Sequence, residues 1–311
     1  MTLIEYMKET LDAGDPTIRQ WPLVDSYYTP FLCTLMYVFF VKRLGPTLME
    51  NRKPFDLRAL MIVYNFSIVV TYTSCLLLLI YYFLTTDAYE RICSPTVVTM
   101  DDYTYPATYA GWIIYVLKYV EYCDTIFFVL RKKDHLVTNL HVIHHAALPI
   151  IAWIMLRTET SGFQFIPGGI NSFIHIIMYT YYGLAAMGPE VQKYLWWKEH
   201  LTKLQMLQFV VILFFVLVLI PLSGCKTSTH GIYIDIGFAA LFLVLFYNFY
   251  MKTYKNKKPA TGKNGKEQNG TNGKAHAVEN KVGNGTPLKK QWSWSNFNED
   301  YPVHGPITKR H

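Results

Sequence analysis

His141, His144 and His145 stand at i, i+3 and i+4 inside an otherwise apolar run, Val137–Leu156. On a helix that spacing puts three imidazoles on one face. Three other apolar runs carry polar stripes of their own. Lys118, Glu121, Asp124 and Thr125 fall at i, i+3, i+6 and i+7. Asn171, His175, Met178 and Tyr179 fall at i, i+4, i+7 and i+8, and Thr202, Gln205 and Gln208 at i, i+3 and i+6. Imidazole serves as nucleophile, proton carrier or hydrogen-bond donor. Lys and carboxylate groups beside it can orient it or steady a developing anion. An ionisable residue inside a bilayer costs roughly 2.5–3.5 kcal/mol on insertion scales, so it faces a partner or a cavity rather than lipid.

Plainer readings stand next to these. A lone intramembrane His is usually a satisfied packing residue, but a histidine triplet with a further His175 on the next span reads as a site. Lys118 with Glu121 reads equally well as a structural ion pair. Gln205 and Gln208 also fit interhelical hydrogen-bond glue. Tyr179, Tyr181 and Tyr182 also fit interfacial aromatics. A membrane di-iron centre needs histidines spread over several boxes. Of ten histidines, His135, His200, His230, His276, His304 and His311 fall in loops or tails. The four that remain do not suffice for di-iron, and a single zinc ion stays open by count.

The elements that must position these groups are membrane helices. The chain has 311 residues, 51% hydrophobic, 16% aromatic and only 16% charged, with mean hydropathy +0.15. Ordinary soluble domains carry about 25% charge, so a soluble globule and a disordered chain are excluded before the tail. Five cysteines without a CxxC exclude a zinc ribbon and a disulfide-dense scaffold. Runs of about 20 apolar residues cross a bilayer. Seven are read: Leu23–Val41, Ala59–Leu84, Tyr109–Leu130, Val137–Leu156, Gln164–Met187, Leu204–Ser223 and Ile232–Met251. Met1–Gln20 is charged and has no signal-peptide core.

Loop charge gives orientation. The loops after spans one, three, five and seven are rich in Lys and Arg, while those after two, four and six hold only Arg91, Arg157 and Lys226. The basic loops face the cytosol, so the N-terminal segment, residues 1–22, is lumenal and the C-terminus cytosolic. The net charge of +7 then needs no nucleic-acid partner. Residues 252–311 read as a flexible cytosolic tail. Its sequons at Asn269 and Asn284 lie on the wrong side for glycosylation. Trp292 and Trp294 there form a short motif without an assigned mechanism, and Lys309 and Arg310 only weakly match a basic retrieval signal.

At a rise of 1.5 Å per residue, Asp124 lies about 9 Å, Glu121 about 13 Å, His144 and His145 about 12–14 Å and His175 about 18 Å from the cytosolic side. Four helices thus contribute to one polar layer, with a mouth toward the cytosol and an apolar chamber toward the lumen.

Taken together, Lys118-x-x-Glu121-x-x-Asp124-Thr125, His141-x-x-His144-His145, Asn171-x-x-x-His175-x-x-Met178-Tyr179 and Thr202-x-x-Gln205-x-x-Gln208 resemble, in order and spacing, the very-long-chain fatty acid elongases, membrane 3-ketoacyl-CoA synthases of the endoplasmic reticulum. The resemblance covers about residues 20–253. It implies an all-α membrane protein of seven transmembrane helices, helices two to seven forming an inverted barrel around an acyl tunnel. It also implies condensation of a long-chain acyl-CoA with malonyl-CoA to 3-oxoacyl-CoA, with release of carbon dioxide and CoA. Before the histidine box the chain has Leu136 and Asn139, where many relatives acting on polyunsaturated chains have Gln and Phe. The Lys193–Trp197 segment looks closest to the very-long-chain and polyunsaturated branch.

The chemistry is a decarboxylative Claisen condensation and asks for no cofactor. Its partners are acyl-CoA, malonyl-CoA and membrane lipid, with a homodimer or a complex with other elongation-cycle enzymes left open. Cys123 points away from the Glu121–Asp124 face, and Cys33 and Cys75 sit on the first two spans, so no cysteine joins the polar layer. The expected nucleophile is therefore an imidazole, His144, assisted by His141, His145 and His175. Lys118, Glu121, Asp124, Asn171, Tyr179, Gln205 and Gln208 support them. The CoA phosphates cannot enter an apolar tunnel, so Arg131, Lys132, Lys133, Lys198 and Lys203 are expected to ring the cytosolic mouth. A metal-dependent lipid enzyme is the alternative enzyme class. A seven-helix receptor is the other, but the chain has no Asp-Arg-Tyr after the third span and no Asn-Pro-x-x-Tyr in the seventh. Cys93 and Cys225, the two cysteines outside the spans, fall in lumenal loops and are expected to form a disulfide in that oxidising compartment.

Overall fold

The computed structural model describes residues 2–87, 92–93, 104–158, 162–225, 227 and 229–256. The expected tail with its sequons, Trp292, Trp294, Lys309 and Arg310, lies outside the described residues beyond Asn256, as do Arg91 and Lys226. Among the described residues all regular structure is helical. The longer helices are α1 (Leu3–Leu11), α2 (Thr29–Met49), α3 (Arg58–Thr85), α4 (Thr104–Val120), α5 (Tyr122–Leu130), α6 (Asn139–Thr158), α7 (Phe165–Ala186), α8 (Lys198–Ser223) and α9 (Thr229–Lys255). Five of them, α2, α3, α6, α8 and α9, are long and apolar enough to cross a membrane.

Several boundaries differ from the sequence expectation: α2 ends at Met49 and not Val41, α4 starts at Thr104 and not Tyr109, and α8 starts at Lys198 and not Leu204. The first span does not begin at Leu23, because Leu23 sits at φ +69°, a left-handed conformation that no helix interior accepts. The helix starts at Thr29, where Pro30 occupies a first-turn position that needs no N–H. At the other end, α9 runs to Lys255, past the expected limit at Met251. Tyr250 Oη donates to Glu199 Oε1 at 2.8 Å, and Tyr254 Oη lies 3.4 Å from Thr202 Oγ1, so both tie the last turn to α8.

α3 shows how one sequence serves two environments. Asn65, Ile68, Tyr72, Cys75, Leu79 and Tyr82 are buried, a seam close to a seven-residue repeat. Val63, Val70, Leu77 and Leu84 repeat at seven residues on the outward side and are 60–80% exposed. An outward stripe of Val and Leu suits lipid and not water. The inward seam of α3 packs most extensively on α7. The remaining neighbours follow as a circuit: α3 with α4, α4 with α6, α6 with α9, α9 with α8, and α8 with α7. α2 lies outside this circuit against α6.

Prolines shape the helices near the core. α2 widens to a π-turn at Phe40–Leu44, ahead of Pro46, and α8 does so at Phe215–Leu219, ahead of Pro221. Each proline lacks the N–H that would complete the preceding turn. Pro149 lies inside α6. It withholds the helical donor from the carbonyl of His145, one turn beyond the histidines.

Candidate functional site

Lys118, at the end of α4, is the hub of a buried polar cluster. Its Nζ lies 2.7 Å from Tyr72 Oη, 3.3 Å from Glu121 Oε1, 3.4 Å from Asn171 Oδ1 and 3.5 Å from His175 Nε2. Tyr72 also donates to Glu121 Oε1. His175 Nε2 stands 3.7 Å from the same carboxylate oxygen, and its Nδ1 meets the Asn171 carbonyl at 2.8 Å. Lys118 is 3% exposed and Glu121 1%. Two opposite charges this deep persist because each has the other and several hydrogen bonds. Glu121 Oε2 keeps no hydrogen-bond partner among the described residues.

Asp124 belongs to a different cluster, although the spacing placed it on the same face. The helix breaks at Glu121, and Asp124 accepts a 2.7 Å hydrogen bond from Tyr179 Oη. Tyr64 on α3 supplies the cause. Its hydroxyl donates to the Val120 carbonyl at 3.2 Å, the group that would otherwise accept from Asp124 N. That amide instead bonds to Glu121 O at 3.1 Å, a tighter turn. A side chain inserted into the backbone ladder is a recognised source of kinks. Tyr179 is fully buried, which removes the interfacial-aromatic reading for it.

The histidine box lies across the cavity from these clusters. His141 Nε2 is 2.8 Å from Thr125 Oγ1, which also meets Tyr37 Oη at 2.8 Å. The His141 and His145 rings stand 4.3 Å apart, and His144 lies edge-on to His145 at 5.3 Å. Phe242 of α9 packs at 5.2 Å from His144. No hydrogen bond fixes the His144 ring among the described residues, whereas His141 and His175 are both held. His145 is buried, with Nδ1 unpartnered among those residues.

Two cavities meet here. One, of about 210 Å³, is lined by His141, His144, His145, His175, Asp124 and Gln205, with Arg131 and Lys198 also on its wall. The other, of about 220 Å³, is mostly apolar and runs from Lys118 and Asn171 past Leu148, Ile151 and Phe209 to Thr108, Leu156, Gln164 and Asp235. Gln208 lines both. It is buried, and its Oε1 has no partner among the described residues. Gln205 instead donates to Met178 Sδ at 3.2 Å. Among the described residues, no three His, Cys, Asp or Glu side chains are arranged to hold a metal ion.

Of the five basic residues expected at the mouth, Arg131 and Lys198 reach the polar cavity. Lys132 turns to the Glu50 carbonyl at 3.0 Å, Lys203 pairs with Glu199 at 2.9 Å, and Lys133 is not on the cavity wall. A disulfide joins Cys93 to Cys225, with Cα atoms 4.5 Å apart, while Cys33, Cys75 and Cys123 are free. Sequence reasoning missed Tyr72 and Tyr37, which bridge helices within the polar layer. The signal for Tyr72 was present: it shares the seven-residue stripe of Asn65 and Leu79 on α3.

A helical bundle with lipid-suited outer faces and a buried, histidine-lined cavity defines a multi-pass membrane protein with an internal site. The chain matches the ELO family, described as the GNS1/SUR4 family, over residues 22–262, and it belongs to that family. It is 41% identical over 266 residues to a very long chain fatty acid elongase of Aedes aegypti, covering 83% of this chain and 72% of that protein. Very long chain fatty acid elongase 7 of Drosophila melanogaster is 39% identical, covering 78% of this chain and 73% of the relative. Very long chain fatty acid elongase 4 of Homo sapiens is 38% identical, covering 83% and 82%.

Proposed function

We propose that this protein elongates fatty acids as a membrane 3-oxoacyl-CoA synthase, condensing a long-chain acyl-CoA with malonyl-CoA. The observation that carries the reading is a cavity with four histidines on its wall adjoining, at Gln208, a second cavity that is mostly apolar. A thioester has that division: a polar reacting head and a chain that needs a dry slot. Membership of the family, and the elongase names of its relatives, support the same activity.

In this reading His144 attacks the thioester carbonyl, forming an N-acyl imidazole and releasing CoA, whose sulfur takes up a proton. Its freedom from hydrogen bonds among the described residues and its place on the cavity wall favour it over His141 and His175. Malonyl-CoA then loses carbon dioxide, and the resulting enolate attacks the acyl carbon and expels His144. His141, His145 and His175 move protons or hydrogen-bond the developing oxyanions. Lys118, Glu121, Tyr72 and Asn171 hold His175. Arg131 and Lys198 meet the CoA phosphates at the mouth. Malonyl-CoA supplies its own driving force, so the reaction asks for no cofactor.

The alternation of basic and non-basic loops supports seven spans, with the N-terminus in the endoplasmic reticulum lumen and the C-terminus in the cytosol. The closed circuit of helix neighbours supports a barrel around the acyl slot. Purified full-length protein given labelled malonyl-CoA and a panel of acyl-CoAs is expected to yield 3-oxoacyl-CoA two carbons longer. Absence of label in any acyl product across the panel would overturn the reading.

A further inference from the structure

The segment before α2 is part of the apolar cavity's wall. Asp15 and Ile18 line the cavity, beside Thr108 and Gly111 of α4 and Met155 and Leu156 of α6. They stand at the end remote from the histidines. Along α6, His144 to Leu156 is twelve residues, about 18 Å at the helical rise.

Side chains of α4 and α6 hold this segment by its backbone. Arg157 donates to the carbonyls of Leu11 at 3.2 Å and Val24 at 2.7 Å, and it pairs with the Asp12 carboxylate. Trp112 Nε1 donates to Pro22 O at 3.0 Å, Tyr115 Oη to Leu23 O at 2.8 Å, and Trp153 Nε1 to Val24 O at 3.2 Å. Gly14 N donates to Arg157 O at 2.9 Å, and a Cβ at Gly14 would sit 2.2 Å from that oxygen. Only glycine permits this approach. Ile18 and Val24 are buried with Tyr115 and Trp153 in one apolar cluster. So dense a set of ties makes the segment a fixed wall.

The lining also changes character here. Asp15, Thr108, Gln164 and Asp235 are the polar members at this end, and Gln164 Nε2 donates to Asp235 Oδ2 at 2.9 Å. A chain terminus that reaches them exchanges apolar neighbours for polar ones and gains nothing by going further. We propose that the N-terminal segment closes the acyl slot and that Ile18 is a specificity-determining residue, its side chain setting how long an acyl chain is accepted. This rests on the elongase reading above.

Two measurements on the full-length protein test it. First, Ile18→Ala and Ile18→Phe are compared with wild type over saturated acyl-CoAs of increasing length, with thermal unfolding in detergent measured alongside. Ile18→Ala is expected to raise kcat/KM for chains just beyond the wild-type limit, and Ile18→Phe to lower it for chains at that limit. Each change should be about tenfold, the lower end of what one misfitted methylene is worth in an apolar pocket, with short chains unaffected. Second, an acyl-CoA carrying a diazirine at its terminal carbon, photolysed in the wild-type enzyme, is expected to label the peptide spanning Leu11–Asp25. Variants that lose activity by the same factor at every length, or label confined to other peptides, would overturn the inference and leave the elongase reading intact. A wild-type protein that elongates no acyl-CoA overturns both.

Discussion

Lys118 and Glu121 form an ion pair that is almost entirely shielded from the surface, so each depends on the other. Removing one partner of such a pair typically costs about 3–5 kcal/mol, because the survivor stays buried and uncompensated. Lys118→Met is expected to lower the unfolding midpoint in detergent sharply. Adding Glu121→Gln to it should recover part of the loss, since no unpaired carboxylate then remains; no recovery in the double variant would count against the pair's buried character. His144 differs from its neighbours in lacking a hydrogen bond among the described residues. His144→Ala is therefore expected to abolish condensation while leaving the unfolding midpoint nearly unchanged. Its companion is an acyl adduct on His144, found by mass spectrometry after incubation with acyl-CoA alone. Near-normal turnover by the variant would reject the role proposed for it.

At the scale of elements, the break between α4 and α5 separates functions that an unbroken helix would have merged. Lys118 and Glu121 face Tyr72 and His175, while Asp124, one turn on, faces Tyr179. The segment before α2 is the second decisive element, and its main latch is titratable. Burial alone would raise the Asp12 carboxyl. Hydrogen bonds from Tyr27 and Arg157, with the charges of Arg157 and Arg19, outweigh it and hold Asp12 below its ordinary 3.8. A lowered folded-state value means the latch contributes fully above 3.8 and loses that contribution as the pH falls through the lower folded value. Protection factors across residues 11–24, taken relative to the slower intrinsic exchange of acid solution, are therefore expected to fall in acid before those of the membrane helices. Asp12→Ala should show the same fall at neutral pH. Protection that is insensitive to both changes would mean that the backbone ties alone hold the segment.

At the scale of the molecule, the Cys93–Cys225 bond ties chain segments 132 residues apart. Cross-links across long loops typically contribute about 2–4 kcal/mol by limiting the unfolded chain. Cys93→Ser with Cys225→Ser is expected to lower the unfolding midpoint, and reducing agent should do the same to wild type but not to the double variant. Peptide mapping without reduction gives a direct check. Free alkylation of both thiols in native protein would refute the bond.

The sequence by itself determined the helical membrane class and the helix faces. These follow from period and polarity along one segment: His141, His144 and His145 must share a face, and a charged stripe inside a bilayer must turn inward. It also marked Gln164–Met187 nearly to the residue, because its flanking turns are local, whereas the helix of the sixth span begins at Lys198, six residues ahead of the expected Leu204. Contacts between segments far apart in sequence were decided only by the tertiary structure. Nothing local to Lys118 announces that Tyr72 and Asn171 will receive its ammonium, and nothing local to Asp124 announces that Tyr64 will bend the chain ahead of it. The basic residues near the mouth look alike in sequence, yet Lys132 and Lys203 turn to Glu50 and Glu199 while Arg131 and Lys198 reach the cavity. The N-terminal segment reads only as a charged lumenal stretch, because the partners that fix it lie on α4 and α6. A residue's own neighbours set its conformation and its face, but the position of a side chain in a cavity depends on backbone that arrives from elsewhere, which period and polarity do not encode.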